Sequence, residues 1–403
     1  MPNEKLSKAK NAKFDEFYTQ YEDIQKEVNA YIEYNANVFK DKIVLLPCDD
    51  PEWSNFTRFF AQNFESLGLK KLISTSYAYA SKNFKGPYQL SLFEEKSPKF
   101  DKTKTKSRGK IFTLSKDTNS SGKVDINDLE WSYMKGDGDF RSDEVIKLRD
   151  EADIIVTNPP FSLFSEFLSW TLEAQKKFLI IGNKSIIGWR DIFPLFKNNE
   201  IWSGKTEWSG GLWFETKNLL DVDRVINGIN MKNIPACWFT NIDHGRRHQP
   251  LQLMTMADNI KFSKHKEVRE KGYQKYDNYD AIEIPYTDAI PSDYKGIMGV
   301  PISFLEKYNP EQFELIALGN SRENFTPNKD YVNPKKVMKD GTIKNGGAIN
   351  CVLSIEQEEK PIDQIYYISE NSKYLIAPYT RILIRRKTNE NWFKNQHNHW
   401  WDL

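Results

Sequence analysis

At 403 residues the chain has room for two to three domains and can bury a core without disulfide or metal staples. Its 39% hydrophobic, 28% charged and 14% aromatic content excludes long-range disorder, and its formal net charge of +1 excludes a wholly basic coat protein, though not a local basic cleft. No apolar run approaches the roughly 20 residues of a membrane helix, and the dispersed, odd set Cys48, Cys237 and Cys351 argues against a disulfide framework or a cysteine zinc site.

In chain order, the opening MPNEKLSKAKNAKFDEF has no apolar signal-peptide core, so a cytoplasmic protein is expected. FYTQYEDIQKEVNAYIEY spaces Tyr21, Ile24, Val28, Tyr31 and Ile32 mostly three or four apart, which predicts a helix. IVLL (43–46) and KLISTS (71–76) read as strands around the amphipathic helix PEWSNFTRFFAQNFESLG. DIIVT (153–157) and FLIIG (178–182) are two more strands, separated by the helix SLFSEFLSWTLEAQKK. Continuous apolar strands alternating with helices predict a parallel sheet covered on both faces. Residues 82–130 interrupt this pattern and read as a polar insertion with a small hairpin around IFTLS. ACWFTNID (236–243) is a further strand, with GLWF as its expected hairpin partner. From His244 onward short strands lie among many Pro, Asn, Asp and Tyr residues. The expected division is a catalytic domain at 1–243 and a second domain at 244–403.

Two basic stretches stand out. KSPKFDKTKTKSRGK (96–110) carries seven basic residues against one Asp, and RILIRRK groups Arg381, Arg385, Arg386 and Lys387. Each is either a solvated face or a nucleic-acid contact.

The residues that carry chemistry are Asn158-Pro159-Pro160-Phe161, placed between an apolar strand and a helix. In an open α/β sheet, ligands bind beyond the carboxyl ends of the strands. The prolines fix φ and stiffen the turn. The Asn158 side-chain carbonyl and the Pro159 backbone carbonyl can both accept from an amino group. They orient its lone pair and stabilise the positive charge that grows as the nitrogen attacks an electrophile. Phe161 offers a face on which a planar base can stack. Other chemistries find less support. Glu215-Thr-Lys217 lacks a partner acid for a metal nuclease, His244 and His248 complete no zinc ligand set, and no G-x-S-x-G elbow is present.

The tetrad is the signature of amino-group methyltransferases that use S-adenosylmethionine. The chain around it resembles the EcoRI-type adenine-specific DNA methyltransferase family. The resemblance is carried by DEFYTQ, LLPCDDPEWSNFTRFF, GDGDFRSDE, EADIIVTNPPFSLFSEF and KKFLIIGNK. IFPLFKNNEIWSG, GGLWFE, VPISFLEKYNPEQFEL and RILIRRK support it, so it spans nearly the whole chain.

The resemblance implies a Rossmann-like α/β methyltransferase sheet followed by a C-terminal target-recognition region. It also implies a DNA adenine-N6 methyltransferase of a restriction-modification system, with a flipped adenine as acceptor. Alternatives are an amino-methyltransferase acting on RNA or protein, or a catalytically silent DNA-binding protein. Phe17, Tyr18 and Thr19 resemble the segment that closes over the methionine end of S-adenosylmethionine. Cys48, Asp49 and Asp50 resemble the cofactor turn, although no glycine-rich loop follows the strand. Asp50 before Pro51 is equally a good helix N-cap and N1 pair. Asp139 and Phe140 resemble the acid-aromatic pair that reads the cofactor's adenine. Trp213 or Phe214 is expected as the second wall of the base pocket. Arg381, Arg385, Arg386 and Lys387 are expected to contact double-stranded DNA. A monomer without metal or membrane association is expected.

Overall fold

The computed structural model describes residues 18–48, 54–78, 99–216, 221–320 and 325–387. These form mixed α/β structure with four sheets. They divide into two compact units, one drawn from Met1–Ile186 and Ile201–Gly245, the other from Ile187–Glu200 and Arg246–Leu403. Residues 187–200 group with the second unit. The reason is local packing within that unit. Asn320 Nδ2 donates to Gly188 O at 3.1 Å, and the Phe193–Lys197 helix lies against the Phe313–Leu318 strand.

The first unit is built on an eight-stranded sheet. Its order is Glu130–Tyr133, Lys110–Leu114, Lys71–Ser76, Ile43–Leu46, Ile154–Thr157, Lys177–Asn183, Ala236–Thr240 and Trp202–Ser203. The middle four strands, Lys71–Ser76 through Lys177–Asn183, run parallel. IVLL and IIVT are buried at every position, as strands covered on both faces must be. On one face Val44, Leu46, Leu72, Val156 and Leu179 pack beneath the Tyr21–Tyr34 and Asn55–Gln62 helices, which contribute Ile24, Val28, Tyr31, Phe56 and Phe60. On the other, the Phe164–Glu173 helix lies close enough that a Cβ on Gly182 would sit 2.3 Å from the Phe164 ring. A glycine in this strand interior is what admits that ring.

Two expectations are corrected. IFTLS does not form a separate hairpin. The Lys110–Leu114 strand pairs antiparallel with both Lys71–Ser76 and Glu130–Tyr133, extending the main sheet. GLWF is not the partner of ACWFT. Leu212–Glu215 joins a second, antiparallel sheet between Tyr18–Thr19 and Ile229–Ile234, whereas Ala236–Thr240 pairs with Lys177–Asn183. The physical reason is that ACWFT is buried throughout while LWFE alternates, so the two belong to sheets of different character.

The second unit holds a four-stranded sheet, ordered Ala281–Glu283, Ile297–Pro301, Arg381–Arg386 and Phe313–Leu318. A five-stranded sheet follows the order Ile343–Asn345, Lys335–Val337, Tyr366–Ser369, Ser372–Ile376 and Ile355–Gln357. Among the described residues no helix is long and apolar enough to cross a membrane.

Candidate active site

From Ile43–Leu46 the chain moves to Lys71–Ser76 on one side and returns to Ile154–Thr157 on the other. The strand order therefore reverses between Ile43–Leu46 and Ile154–Thr157. A crevice at the carboxyl ends of strands is expected at such a reversal. Cys48 follows one of these strands and Asn158 the other, so the two adjoining turns flank the same reversal.

The tetrad leaves the strand as extended chain and turns at Pro160, whose carbonyl accepts from Leu163 N at 2.9 Å. Pro159 is buried, and Asn158, Pro160 and Phe161 are half-buried. The turn is thus anchored by one proline while its functional side chains stay partly open. Phe161 meets Phe214 edge-on, with centroids 6.3 Å apart and planes at 78°. Phe214 is fully buried in the core and backs Phe161 rather than facing it as a parallel plate. Trp213, the preceding residue of the strand, belongs to the opposite face. The Arg224 guanidinium lies 4.4 Å over its ring. Of these two candidates, the structure brings Phe214 to the tetrad and directs Trp213 elsewhere.

Tyr18 and Thr19 pair with Glu215 and Phe214, which joins the N-terminal motif to the strand behind Phe161. Asn55 Nδ2 donates to Thr19 O at 2.8 Å and fixes the motif against the helix that follows the first strand. That helix takes its N-cap from Ser54, whose Oγ accepts from Phe56 N at 3.1 Å. Thr19 Oγ1 is buried with no hydrogen-bond partner among the described residues. Phe17, Asp49 and Asp50 lie outside the described residues.

The Gly136–Phe140 turn sits at the same end of the sheet. Ala78 N, just past the Lys71–Ser76 strand, donates to Asp137 O at 2.6 Å, and Gly109 N donates to Gly136 O at 2.9 Å. Gly138 has φ of +83°, and a Cβ there would lie 2.2 Å from Ser76 O. Only glycine fits that backbone and that approach.

Asp139 next to it is held by Arg141. Its Oδ1 accepts from Arg141 N and Nε, each at 2.8 Å, and its Oδ2 accepts from Nη2 at 2.6 Å. The Arg141 hydrogen bonds hold the Asp139 carboxyl below the usual carboxylate range. Arg141 also reaches Glu166 on the helix after the tetrad, at 3.3 Å. It thereby links the Asp139 turn to the tetrad's own helix. Phe140 is buried edge-on against Phe167 and Trp170 at 5.2 and 5.6 Å. The protein itself therefore takes up much of its ring. Sequence reasoning did not select Arg141. The available signal was a cation two residues after a candidate ligand carboxylate, a spacing that permits such a chelate.

A second unselected group is Glu27. Its buried carboxylate accepts from Tyr31 OH at 2.9 Å, Lys205 N at 2.6 Å, and Thr206 N and Oγ1 at 2.7 and 2.5 Å. It fixes the segment that leads into the Leu212–Glu215 strand. Among the described residues no group of three or more His, Cys, Asp or Glu could hold a metal ion.

The basic run near the C-terminus is split by its strand. Arg381 donates to Glu283 Oε1 from Nη2 at 2.6 Å and from Nε at 2.9 Å, with Nε also 3.2 Å from Oε2, and both side chains are nearly buried. Arg385 is exposed, 3.9 Å from Glu314. Arg386 is half-buried, and loss of solvation lowers its pKa. Lys387 is exposed, with its backbone N bound to Gln312 O. Sequence grouped four charges that the strand distributes among different surroundings.

Comparison with known proteins adds an independent line. The family described as adenine-specific methyltransferase EcoRI matches residues 5–387. The Type II methyltransferase M.EcoRI of Escherichia coli is 42% identical over 320 residues, covering 78% of this chain and 89% of that protein. M.MpnI of Mycoplasma pneumoniae is 37% identical over 318 residues, covering 77% and 84%. M.MgeORF184P of Mycoplasma genitalium is 35% identical over 318 residues, covering 77% and 85%. No solved structure matches.

Proposed function

The chain belongs to the EcoRI family of adenine-specific methyltransferases, and from that premise we propose that it methylates adenine N6 in double-stranded DNA within a Type II restriction-modification system. The observation that carries this is the Asn158–Phe161 tetrad at the carboxyl end of Ile154–Thr157, beside the reversal in strand order. Residues 1–243 form a Rossmann-like catalytic domain in this reading, and 244–403 recognise the target. The protein works as a monomer in the cytoplasm.

The methyl donor is S-adenosylmethionine, which when bound supplies an electrophilic methyl group on a sulfonium. Two features fit such a ligand. Thr19 Oγ1 is a buried hydroxyl without a partner among the described residues, and Asp139 presents a fixed carboxylate at the strand ends. Tyr18 and Thr19, Cys48, and Asp139 would hold it, together with Phe17, Asp49, Asp50 and Phe140 of the same segments.

The adenine leaves the duplex because its N6 is inaccessible within the base stack. Phe161 stacks on the extruded base, a contact worth roughly 1–3 kcal/mol, comparable with the cost of unstacking. Asn158 Oδ1 and the Pro159 carbonyl accept hydrogen bonds from the two N6 hydrogens. This aims the nitrogen lone pair and stabilises its developing positive charge. The excess proton passes to water once the N–C bond has formed. Neither a metal nor a covalent enzyme intermediate is required, because positioning and charge stabilisation supply the rate.

The test is mass spectrometry of nucleosides from mixed-sequence duplex DNA incubated with the protein and S-adenosylmethionine. N6-methyladenine with wild type, and its loss in Asn158→Ala with cofactor binding retained, is the expected result. An Asn158→Ala variant with normal turnover would refute the acceptor role.

A further inference from the structure

In the second unit, Lys335–Val337 and Ile343–Asn345 form an antiparallel ribbon at one margin of the five-stranded sheet. Residues 335–345, KKVMKDGTIKN, hold four lysines and one acid. The turn is closed by Gly341 N donating to Met338 O and Met338 N donating to Thr342 O, each at 2.9 Å. The single acid, Asp340, spends its carboxylate inside that turn, accepting from Thr342 N at 2.9 Å.

The register sets Lys336 directly opposite Lys344. Directly opposed residues of an antiparallel pair share a face, and like charges there destabilise the ribbon. The Lys336 ammonium lies over the Tyr367 ring, 5.8 Å from its centroid, and the side chain remains half-exposed. Lys335, Lys339 and Lys344 are exposed, as is Ile343 at 58%. None of the four lysines forms a salt bridge with another described residue. Asp340 offsets part of the charge through its electrostatic interaction with Lys344, but four lysines against one acid leave a net positive ribbon that an external polyanion would neutralise. A two-stranded ribbon is also an element that the major groove admits.

We propose that this ribbon is a DNA-phosphate contact of the chain, with Lys336 and Lys344 as paired anchors and Lys339 at the tip. The inference rests on duplex DNA being the substrate. It names a surface distinct from the Arg381–Lys387 run. The rival role for these lysines is protection of an edge strand against pairing with another chain.

The experiment measures affinity of the full-length protein for mixed-sequence duplex DNA between about 50 and about 200 mM salt, where counterion release dominates. Each lost phosphate contact makes the slope of log affinity against log salt shallower by about 0.9. Lys336→Gln with Lys344→Gln is therefore expected to flatten the slope by about 1.8. Its affinity deficit relative to wild type then shrinks about twelvefold across that range. Lys336→Arg with Lys344→Arg should keep the wild-type slope.

A wild-type slope in the glutamine pair, with wild-type binding intact, leaves edge protection as the role and overturns the ribbon's assignment alone. Equal loss in the arginine pair shows dependence on ribbon shape rather than charge and also overturns it. Absence of both duplex binding and N6-methyladenine with wild-type protein removes the proposed function, and the ribbon's role with it.

Discussion

The GDGD turn contains two glycines that the structure places in opposite situations, which makes a sharp test of the site. Gly138 has φ of +83° and Gly136 has open space where its Cβ would be. In Gly138→Ala the new Cβ would lie 2.2 Å from Ser76 O, against an ordinary contact distance of 3.4 Å or more. Relief requires a shift of about 1 Å, and the left-handed backbone adds about 1–2 kcal/mol of strain. The shift loosens two hydrogen bonds, Ala78 N to Asp137 O and Gly109 N to Gly136 O. Each is worth about 1 kcal/mol net. The expected destabilisation is about 2–4 kcal/mol, read as a lower urea midpoint with unchanged m-value. Because Asp139 moves with the turn, affinity for S-adenosylmethionine in calorimetry should fall at least about tenfold, equivalent to about 1.4 kcal/mol. Gly136→Ala should stay within about 0.5 kcal/mol of wild type in stability. Wild-type stability and cofactor affinity in Gly138→Ala would refute both the close approach and the placing of Asp139 at the site.

Other perturbations separate neighbouring roles. Arg141→Gln should raise the Asp139 pKa toward the ordinary carboxylate range, as followed by carbon NMR of the carboxyl. A depressed folded pKa contributes stability above the unfolded pKa and loses it as pH falls through the folded value. The wild-type advantage should therefore hold at neutral pH and vanish in acid; given the exposure of Arg141, it should stay below about 1 kcal/mol. An unmoved Asp139 titration would dismiss the pair. Phe214→Ala should cost about 3–5 kcal/mol in urea unfolding, because a fully buried ring is removed, whereas Trp213→Ala should cost about 0.5–1 kcal/mol with its Arg224 contact. Equal losses would contradict the opposite faces assigned to them. Arg381→Ala should destabilise by about 3–5 kcal/mol, leaving Glu283 buried without its partner. Arg385→Ala should leave the urea midpoint near wild type and flatten the salt dependence of DNA binding if it touches phosphate. A normal midpoint in Arg381→Ala would contradict the buried pair.

The local content of the chain decided a good deal. IVLL, IIVT and FLIIG are strands because uninterrupted apolar runs suit a sheet covered on both faces, KLISTS is a strand with a shorter apolar core of Leu72 and Ile73, and the structure forms all four within a residue or two of the sequence reading. The tetrad's position followed as well, since two prolines after an apolar strand end it and stiffen what comes next. Family membership was equally legible, because the motifs lie along nearly the whole chain in order.

Pairing partners were not legible. LWFE could pair with any exposed strand edge, and only the folded chain sets it between Tyr18–Thr19 and Ile229–Ile234. Adjacency in sequence is a weak guide when the alternative partner is brought close by the sheet itself. The fate of charges was likewise decided in three dimensions. RILIRRK reads as one basic patch, but Glu283, from a strand about a hundred residues earlier, claims Arg381, while Arg386 is half-buried and Arg385 exposed. Asp139 read as a lone carboxylate, but in the fold Arg141 donates to both of its oxygens and leaves only their remaining acceptor capacity for a ligand. Sequence determines which residue types recur along an element, because backbone periodicity is local. Which distant carboxylate meets which cation depends on the path of the whole chain, and only the tertiary structure fixes that path.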